Sequence, residues 1–393
     1  MPQTVQAMPA IASELDVRHG GSVSTNPERA ARELFESVGG EGRELVLFFC
    51  SPAYDLDRLG REIARLFGDA RVIGCTTAGE IGAHGYCAQS ISGVSITGAD
   101  FVARTVRIDK LASFEIATGE AAARSAMALV AESGVSATER CFGLIMADGL
   151  SMQEEALVSS LYGELGGGCP LVGGSAGDET RFGKTFVFHE GAFHADAALF
   201  TLVHCDAPFD VFKTEHFVAT SEKLVVTAAD PARRIVSEIN GEPAAREFAR
   251  VLGLPIDALT PMAFATHPVV VRVAGDTYVR SIQKVNDDES LTFFCAIDDG
   301  IVLTVAKSVD MLQNLSAAFD GVRRRIGRPA VTLGFDCILR RLEAERTDQK
   351  AQVAEIYAAN GVTGFATYGE QFNGMHVNQT FTGVAIGARR PHG

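Results

Sequence analysis

One order of elements recurs three times in this chain and constrains its fold more than any other feature. It is an apolar strand, a helix, a second apolar run, a glycine turn with small hydroxyl and carboxylate residues, and a closing strand. The first copy runs from Leu45 to Cys50 through Gly74-Cys75-Thr76-Thr77-Ala78-Gly79-Glu80-Ile81 to Ile91 and Thr97. The second runs from Phe142 to Ala147 through Gly173-Gly174-Ser175-Ala176-Gly177-Asp178-Glu179 to Ala195 and Val203. The third runs from Val331 to Phe335 through Thr367-Tyr368-Gly369-Glu370 to Val377 and Ile386. This pattern predicts an α/β fold of two layered α/β domains built from repeated β-α-β-β units, the N-terminal domain internally duplicated. A turn of this composition placed after a strand reads as built to hold something rather than to fill a core. The pattern changes at Asp206-Ala207-Pro208, which sets the expected domains at residues 25–207 and 208–387.

With 393 residues, 47% of them apolar, the chain can bury the cores of two or three domains. A net charge of −14 argues against a nucleic-acid partner or an anionic membrane surface. The eight cysteines lie in or beside apolar runs without any CxxC pair, as free thiols do in a reducing cytoplasm. Residues 1–17 do not read as a signal peptide, and no apolar run reaches the roughly 20 residues that span a bilayer. The expectation is a soluble cytoplasmic protein without membrane insertion.

Locally, Asp55 reads as the N-cap of a helix carrying Leu59, Ile63 and Phe67 on one face. Ser151 and Glu154 have capping-box spacing before Leu157 and Leu161. The runs Ile91 to Thr97 and Phe101 to Ile108 read as a hairpin turning at Gly98 and Asp100.

Several formal motifs fail on context. Gly173 to Gly177 fits GxSxG, but a nucleophile elbow needs a helix straight after the serine, and here Asp178 to Gly183 lead to a strand. His189 and His194 are five apart with Gly191 between them, so they flank a turn and do not form HExxH. Asp287-Asp288 and Asp298-Asp299 lack calcium-loop spacing, and neither a Walker loop nor GxGxxG occurs.

The C-terminal copy holds the densest polar set. Cys337 and Arg340 lie where a strand passes into a helix, Glu370 ends the neighbouring strand, and His376, Asn378, Gln379 and Thr380 open the next. Cys337, Arg340, Glu370, Asn378 and Thr380 are therefore expected to line one pocket for a small zwitterion such as an amino acid. The alternative is an Arg340–Glu370 structural ion pair, with Asn378 and Thr380 satisfying turn backbone.

The runs Val72 to Ile81, Phe335 to Arg340, Gly364 to Glu370 and His376 to Thr380 together resemble the FIST domain family, over about residues 25–387. The resemblance implies a bacterial intracellular sensory module that binds small ligands such as amino acids. Some stand-alone relatives of similar layout are described as haem-binding nitric-oxide sensors acting on a histidine kinase. It thus implies signal transduction through a separate partner, a histidine kinase or another signalling enzyme, and a non-covalent haem b as cofactor. There is no CxxCH attachment site, so a haem would need an imidazole in an apolar pocket. His204 and His216, beside the expected domain boundary, are the candidate metal ligands; the alternative is that both are core histidines bonded to backbone.

The reading is of a non-catalytic sensor. The alternative is a cysteine-dependent enzyme acting on a small molecule, with Cys337 or Cys75 as nucleophile and His376 or His84 as base, although neither thiol has an evident activating third group.

Overall fold

A computed structural model describes residues 15–39, 42–82, 85–273 and 276–388, so His84 lies outside the described residues. In chain order the first copy comprises β1 (Asp16–Ser22), α1 (Pro27–Val38), β2 (Leu45–Cys50), α2 (Leu56–Phe67), β3 (Val72–Thr76), β4 (Glu80–Gly82), β5 (Gly85–Cys87) and β6 (Ile91–Thr97). The second comprises β7 (Phe101–Asp109), α3 (Ile116–Ala131), β8 (Cys141–Ala147), α4 (Glu154–Glu164), β9 (Leu171–Ser175), β10 (Val187–His189), β11 (Ala192–His194) and β12 (Ala197–Cys205).

The third copy opens with β13 (Phe209–Thr214) and is then interrupted. The interruption holds β14 (Phe217–Asp230), β15 (Ile235–Ile239), β16 (Glu242–Pro243), α5 (Ala244–Leu252), α6 (Pro261–Thr266), β17 (Val269–Val273), β18 (Asp276–Arg280), β19 (Ile282–Val285), β20 (Leu291–Phe293) and β21 (Val302–Ser308). The copy resumes with α7 (Met311–Ile326), β22 (Pro329–Cys337), α8 (Ile338–Arg346), α9 (Lys350–Ala359), β23 (Val362–Thr367), β24 (Glu370–Phe372), β25 (Met375–Val377) and β26 (Phe381–Gly387).

The copies do not form separate sheets. Each lends its short hairpin to another copy, giving the six-stranded orders β1-β6-β2-β3-β10-β11, β7-β12-β8-β9-β24-β25 and β13-β26-β22-β23-β4-β5. Strands on both sides of residue 207 therefore share two of the three sheets. The central strand pairs are parallel, β2 with β3, β8 with β9 and β22 with β23, and their flanks are antiparallel. Such mixed sheets with helices outside satisfy the expected α/β class.

Period-two alternation explains the centre. Leu45, Leu47 and Phe49, then Phe142, Leu144 and Met146, then Val331, Leu333 and Phe335 all point into one shared core. The alternate residues face helix layers: Val46 and Phe48 meet α1 and α2, and Ile145 and Ala147 meet α3 and α4. Full burial of each such side chain contributes about 1.5–3 kcal/mol.

Two local expectations differ from the structure. β6 and β7 do not pair with each other; they belong to different sheets, β7 pairing with β12. Each closes within its own copy, β6 between β1 and β2 and β7 on β12, so the short turn joins two sheets. Ser151 does not cap α4, whose N-cap is Gln153, because the Glu154 carboxylate that would close the box is drawn 2.6 Å from Arg234. Asp55 does cap α2, accepting from the Arg58 N–H at 3.0 Å.

The interruption, residues 217–308, forms a half-barrel of order β18-β17-β21-β14-β15-β20-β19, with β16 on β15. Its core of Leu224, Val226, Val236, Phe248, Phe264 and Leu303, among others, is its own.

Candidate functional site

The repeated turn is an architectural clip in two of the three copies. Thr77 Oγ1 accepts from the Gly79 N–H at 3.0 Å and donates to Glu80 Oε1 at 2.6 Å, while the Ser90 hydroxyl and N–H donate to Glu80 Oε2 at 2.6 and 3.2 Å. Thr367, Gly369, Glu370 and Thr380 repeat these bonds in the third copy. In the second copy Val187 holds the register place of the glutamate, opposite Cys75 as Glu80 is opposite Phe365 and Glu370 opposite Gly174. The tips plait together: the Gly177 N–H donates to Thr76, Ala78 to Ala366 and Ser175 to Gly369. This repeat closes the fold, and its two glutamates are bonded to hydroxyls of their own copies. Burial pushes Glu370 up to about 8, against the hydrogen bonds from Thr367 and Thr380.

The swapped hairpins differ in what they carry at one equivalent cross-strand pair. In the first sheet it is Phe188 with Phe193, packed edge-to-face at 5.0 Å. In the third sheet it is Ile81 with Tyr86, the phenol bonded to Asp336. In the second sheet it is Gln371 with His376. The equivalence is supported by the left-handed residues that follow each hairpin, Gln89, Asp196 and Gln379, at φ 52°, 52° and 49°.

Gln371, His376 and Asn378 are buried, yet Gln371 Oε1, both His376 ring nitrogens and both Asn378 amide atoms lack a hydrogen-bond partner among the described residues. Leaving such a group buried and unpaired costs about 1–3 kcal/mol, so five together are a concentrated cost in the fold. Gly369 brings the groups together: a Cβ there would lie 2.3 Å from His376 Cε1 and 3.0 Å from Asn378 Nδ2, so only glycine fits. Gln371 is aimed by its Nε2 donating to Ser175 Oγ at 3.0 Å.

Charge surrounds this pocket. Arg234 of the half-barrel donates to Glu154 and Glu155, each at 2.6 Å. Arg280 reaches the His376 carbonyl at 3.4 Å and, among the described residues, bridges no carboxylate. Burial lowers the basicity of His376 against the pull of Glu155 and Glu154, leaving a neutral ring with one donor and one acceptor. The set offers a guanidinium, an amide, an imidazole and an amide oxygen.

The residues expected to line one pocket are partly separated. Glu370 and Thr380 meet in the clip, and the Cys337 N–H donates to the Thr380 carbonyl at 3.1 Å. Asn378 belongs to the unpaired pocket. Arg340 is buried away from solvent, but its Nε donates to Asp336 at 2.7 Å and its NH1 to His216 Nδ1 at 2.7 Å. Asp336 precedes it by one helical turn, so the guanidinium closes on its own strand end and not on Glu370. Gln371 and His376 were not singled out as pocket residues. The available signal was that they stand where the other copies carry Phe188, Phe193, Ile81 and Tyr86.

The two candidate haem ligands do not fit that role. His204 Nδ1 donates to the Ser136 and Glu139 carbonyls at 3.0 and 3.1 Å, and its Nε2 lies 3.5 Å from Asp206. His216 donates from Nε2 to Glu343 at 2.8 Å while Nδ1 accepts from Arg340. Neither has a free ring nitrogen facing an apolar slot. His376 has free nitrogens, but Glu154, Glu155, Arg234 and Arg280 surround it with charge. No group of three metal-ligating side chains occurs among the described residues. Burial pushes the Cys75 and Cys337 thiols well above their ordinary range, against a thiolate nucleophile.

The scaffold consists of three intertwined α/β units carrying a half-barrel insertion, with a cluster of buried, unpaired polar side chains beneath it. Residues 44–242 match the FIST N domain and residues 244–373 the FIST C domain. The chain belongs to the FIST family, whose domains are associated with sensory signal transduction. It is also similar to an uncharacterized protein of Methanocaldococcus jannaschii, 21% identical over 322 residues, which cover 76% of this chain and 61% of that protein. No helix among the described residues is long and apolar enough to cross a membrane.

Proposed function

We propose that the chain is a ligand-binding sensor whose site is the pocket of Gln371, His376, Asn378 and Arg280. Occupancy is passed to a separate signalling enzyme such as a histidine kinase. The observation that carries this reading is the set of five buried polar atoms without partners, at positions where the sister hairpins are apolar or bonded.

The complement of these atoms describes the ligand. Arg280 and the Asn378 amide N–H groups ask for an acceptor of negative charge, and Gln371 Oε1 and Asn378 Oδ1 ask for a donor. A small zwitterion such as an amino acid supplies both. The pairing partners differ from the Arg340-centred set expected from the sequence, while the ligand class is the same.

Isothermal titration with a panel of amino acids tests the reading. Binding should be lost in Asn378→Ala and in His376→Ala, with the strands of the central core unaffected by hydrogen exchange. Equal affinity in wild type and both variants would place the site elsewhere.

A further inference from the structure

Gln371, His376 and Asn378 are closed from solvent, so a ligand reaches them only when something moves. The half-barrel is a single insertion. Its chain leaves the core between Thr214 and Phe217 and returns between Ser308 and Met311. Both crossings meet at His216: the Val309 N–H donates to the His216 carbonyl at 2.8 Å, Phe217 pairs with Ser308, and Asn314 Nδ2 donates to the Glu215 carbonyl at 3.0 Å.

The pivot is fixed to the core. The His216 imidazole is held by Glu343 and Arg340, and Arg340 by Asp336, which also accepts from Tyr357 at 2.5 Å and from Tyr86. The rest of the seam carries polar bridges beside an apolar cluster. Arg234 spans to Glu154 and Glu155, the Ala296 N–H donates to Glu155 at 3.0 Å, and Gln379 bridges Ser281 and the Ala265 carbonyl at 3.0 and 2.8 Å. The apolar contact there is a cluster in which Met262, Ala265 and Phe294 of the half-barrel meet Ile338, Leu339, Leu342 and Tyr368 of the core. The half-barrel keeps its own core and can move as a body.

We propose that the half-barrel is a hinged lid over the Gln371–His376–Asn378 pocket, turning about His216 and latched by Arg234 on Glu154 and Glu155. Two crossings at one pinned point give a rotation axis, and a polar latch opens at small cost because water can replace its bonds. In this arrangement a ligand bridging Arg280 of the lid to Asn378 of the core favours the closed state, and the partner reads the lid position. The purpose of the lid rests on the ligand reading above; its motion does not.

Diethyl pyrocarbonate, which acylates neutral imidazole nitrogens, tests the motion without any ligand. His376 should label at least tenfold faster in Arg234→Gln than in wild type, measured by mass spectrometry, while His216, held at both nitrogens, stays slow in both. In wild type, amides of β25 and of residues 294–297 should exchange together and faster than those of β2, an observation that does not depend on the variant folding. Unchanged His376 labelling in folded Arg234→Gln, or β25 exchanging only with β2, would overturn the lid. A lid that opens in front of a pocket binding no compound would instead count against the ligand reading.

Discussion

The hairpins β10–β11 and β24–β25 occupy equivalent edges of two sheets, and one is an apolar core element while the other carries unpaired polar side chains. Phe188 and Phe193 fill their position with apolar area, packed against Phe48 and α2. Gln371 and His376 fill the same position with polar side chains, of which Gln371 Oε1 and both His376 nitrogens have no partner among the described residues. The backbone pairing is the same, so the sheet needs neither composition. Apolar burial is thus concentrated at the first hairpin, while the second carries the cost of a polar interior, the place the proposed ligand would occupy.

The largest effect should separate the two hairpins outright. Phe188→Ala should lower unfolding free energy by about 3–5 kcal/mol through the cavity it leaves, read as a fall in urea midpoint. Gln371→Ala should cost less, about 1–2 kcal/mol, because it loses the Nε2 bond to Ser175 but also removes the unpaired Oε1. Equal losses would mean that the two hairpins are both structural.

A gain of stability sharpens the same comparison. Gln371→Ile with His376→Phe makes the second pair resemble the other two and removes three unpaired polar atoms. It should raise the urea midpoint, by about 1–3 kcal/mol in free energy.

A pH dependence, rather than a midpoint at one pH, concerns the clips. Burial keeps Glu370 protonated up to about pH 8, whereas its ordinary value is 4.5. Between these values the folded chain holds a proton that the unfolded chain has lost, so stability falls as pH rises through this window and levels off above it. Glu370→Gln should flatten that slope in urea titrations from pH 5 to pH 9, and an unchanged slope would assign the dependence to other groups.

Much of this was legible in the sequence. The threefold β-α-β-turn-β order survives because strand and helix periods are local, and the alternation of Leu45, Leu47 and Phe49 already announces a two-sided strand. The exchange of hairpins was not legible, because three-residue strands such as Glu370–Phe372 carry little pattern and pair with partners some two hundred residues away. Arg340 was assigned to the pocket because it is a cation at a strand end. Its bond to His216, 124 residues distant, depends on where the half-barrel's crossings meet the core. His376 and Asn378 were visible as polar residues opening a strand, but the absence of partners is a property of packing, and only the fold displays it.

The central claim is that the protein's ligand sits between Gln371, His376, Asn378 and Arg280. The most direct measurement is the shift in melting temperature of wild type and of the Gln371→Ile, His376→Phe variant across a panel of amino acids and hydroxy acids. The account predicts at least one compound that raises the wild-type melting temperature by several degrees and leaves the variant unmoved, with the variant itself the more stable of the two without ligand. A compound that stabilises both equally, or a panel that stabilises neither while the variant melts lower than wild type, would contradict it.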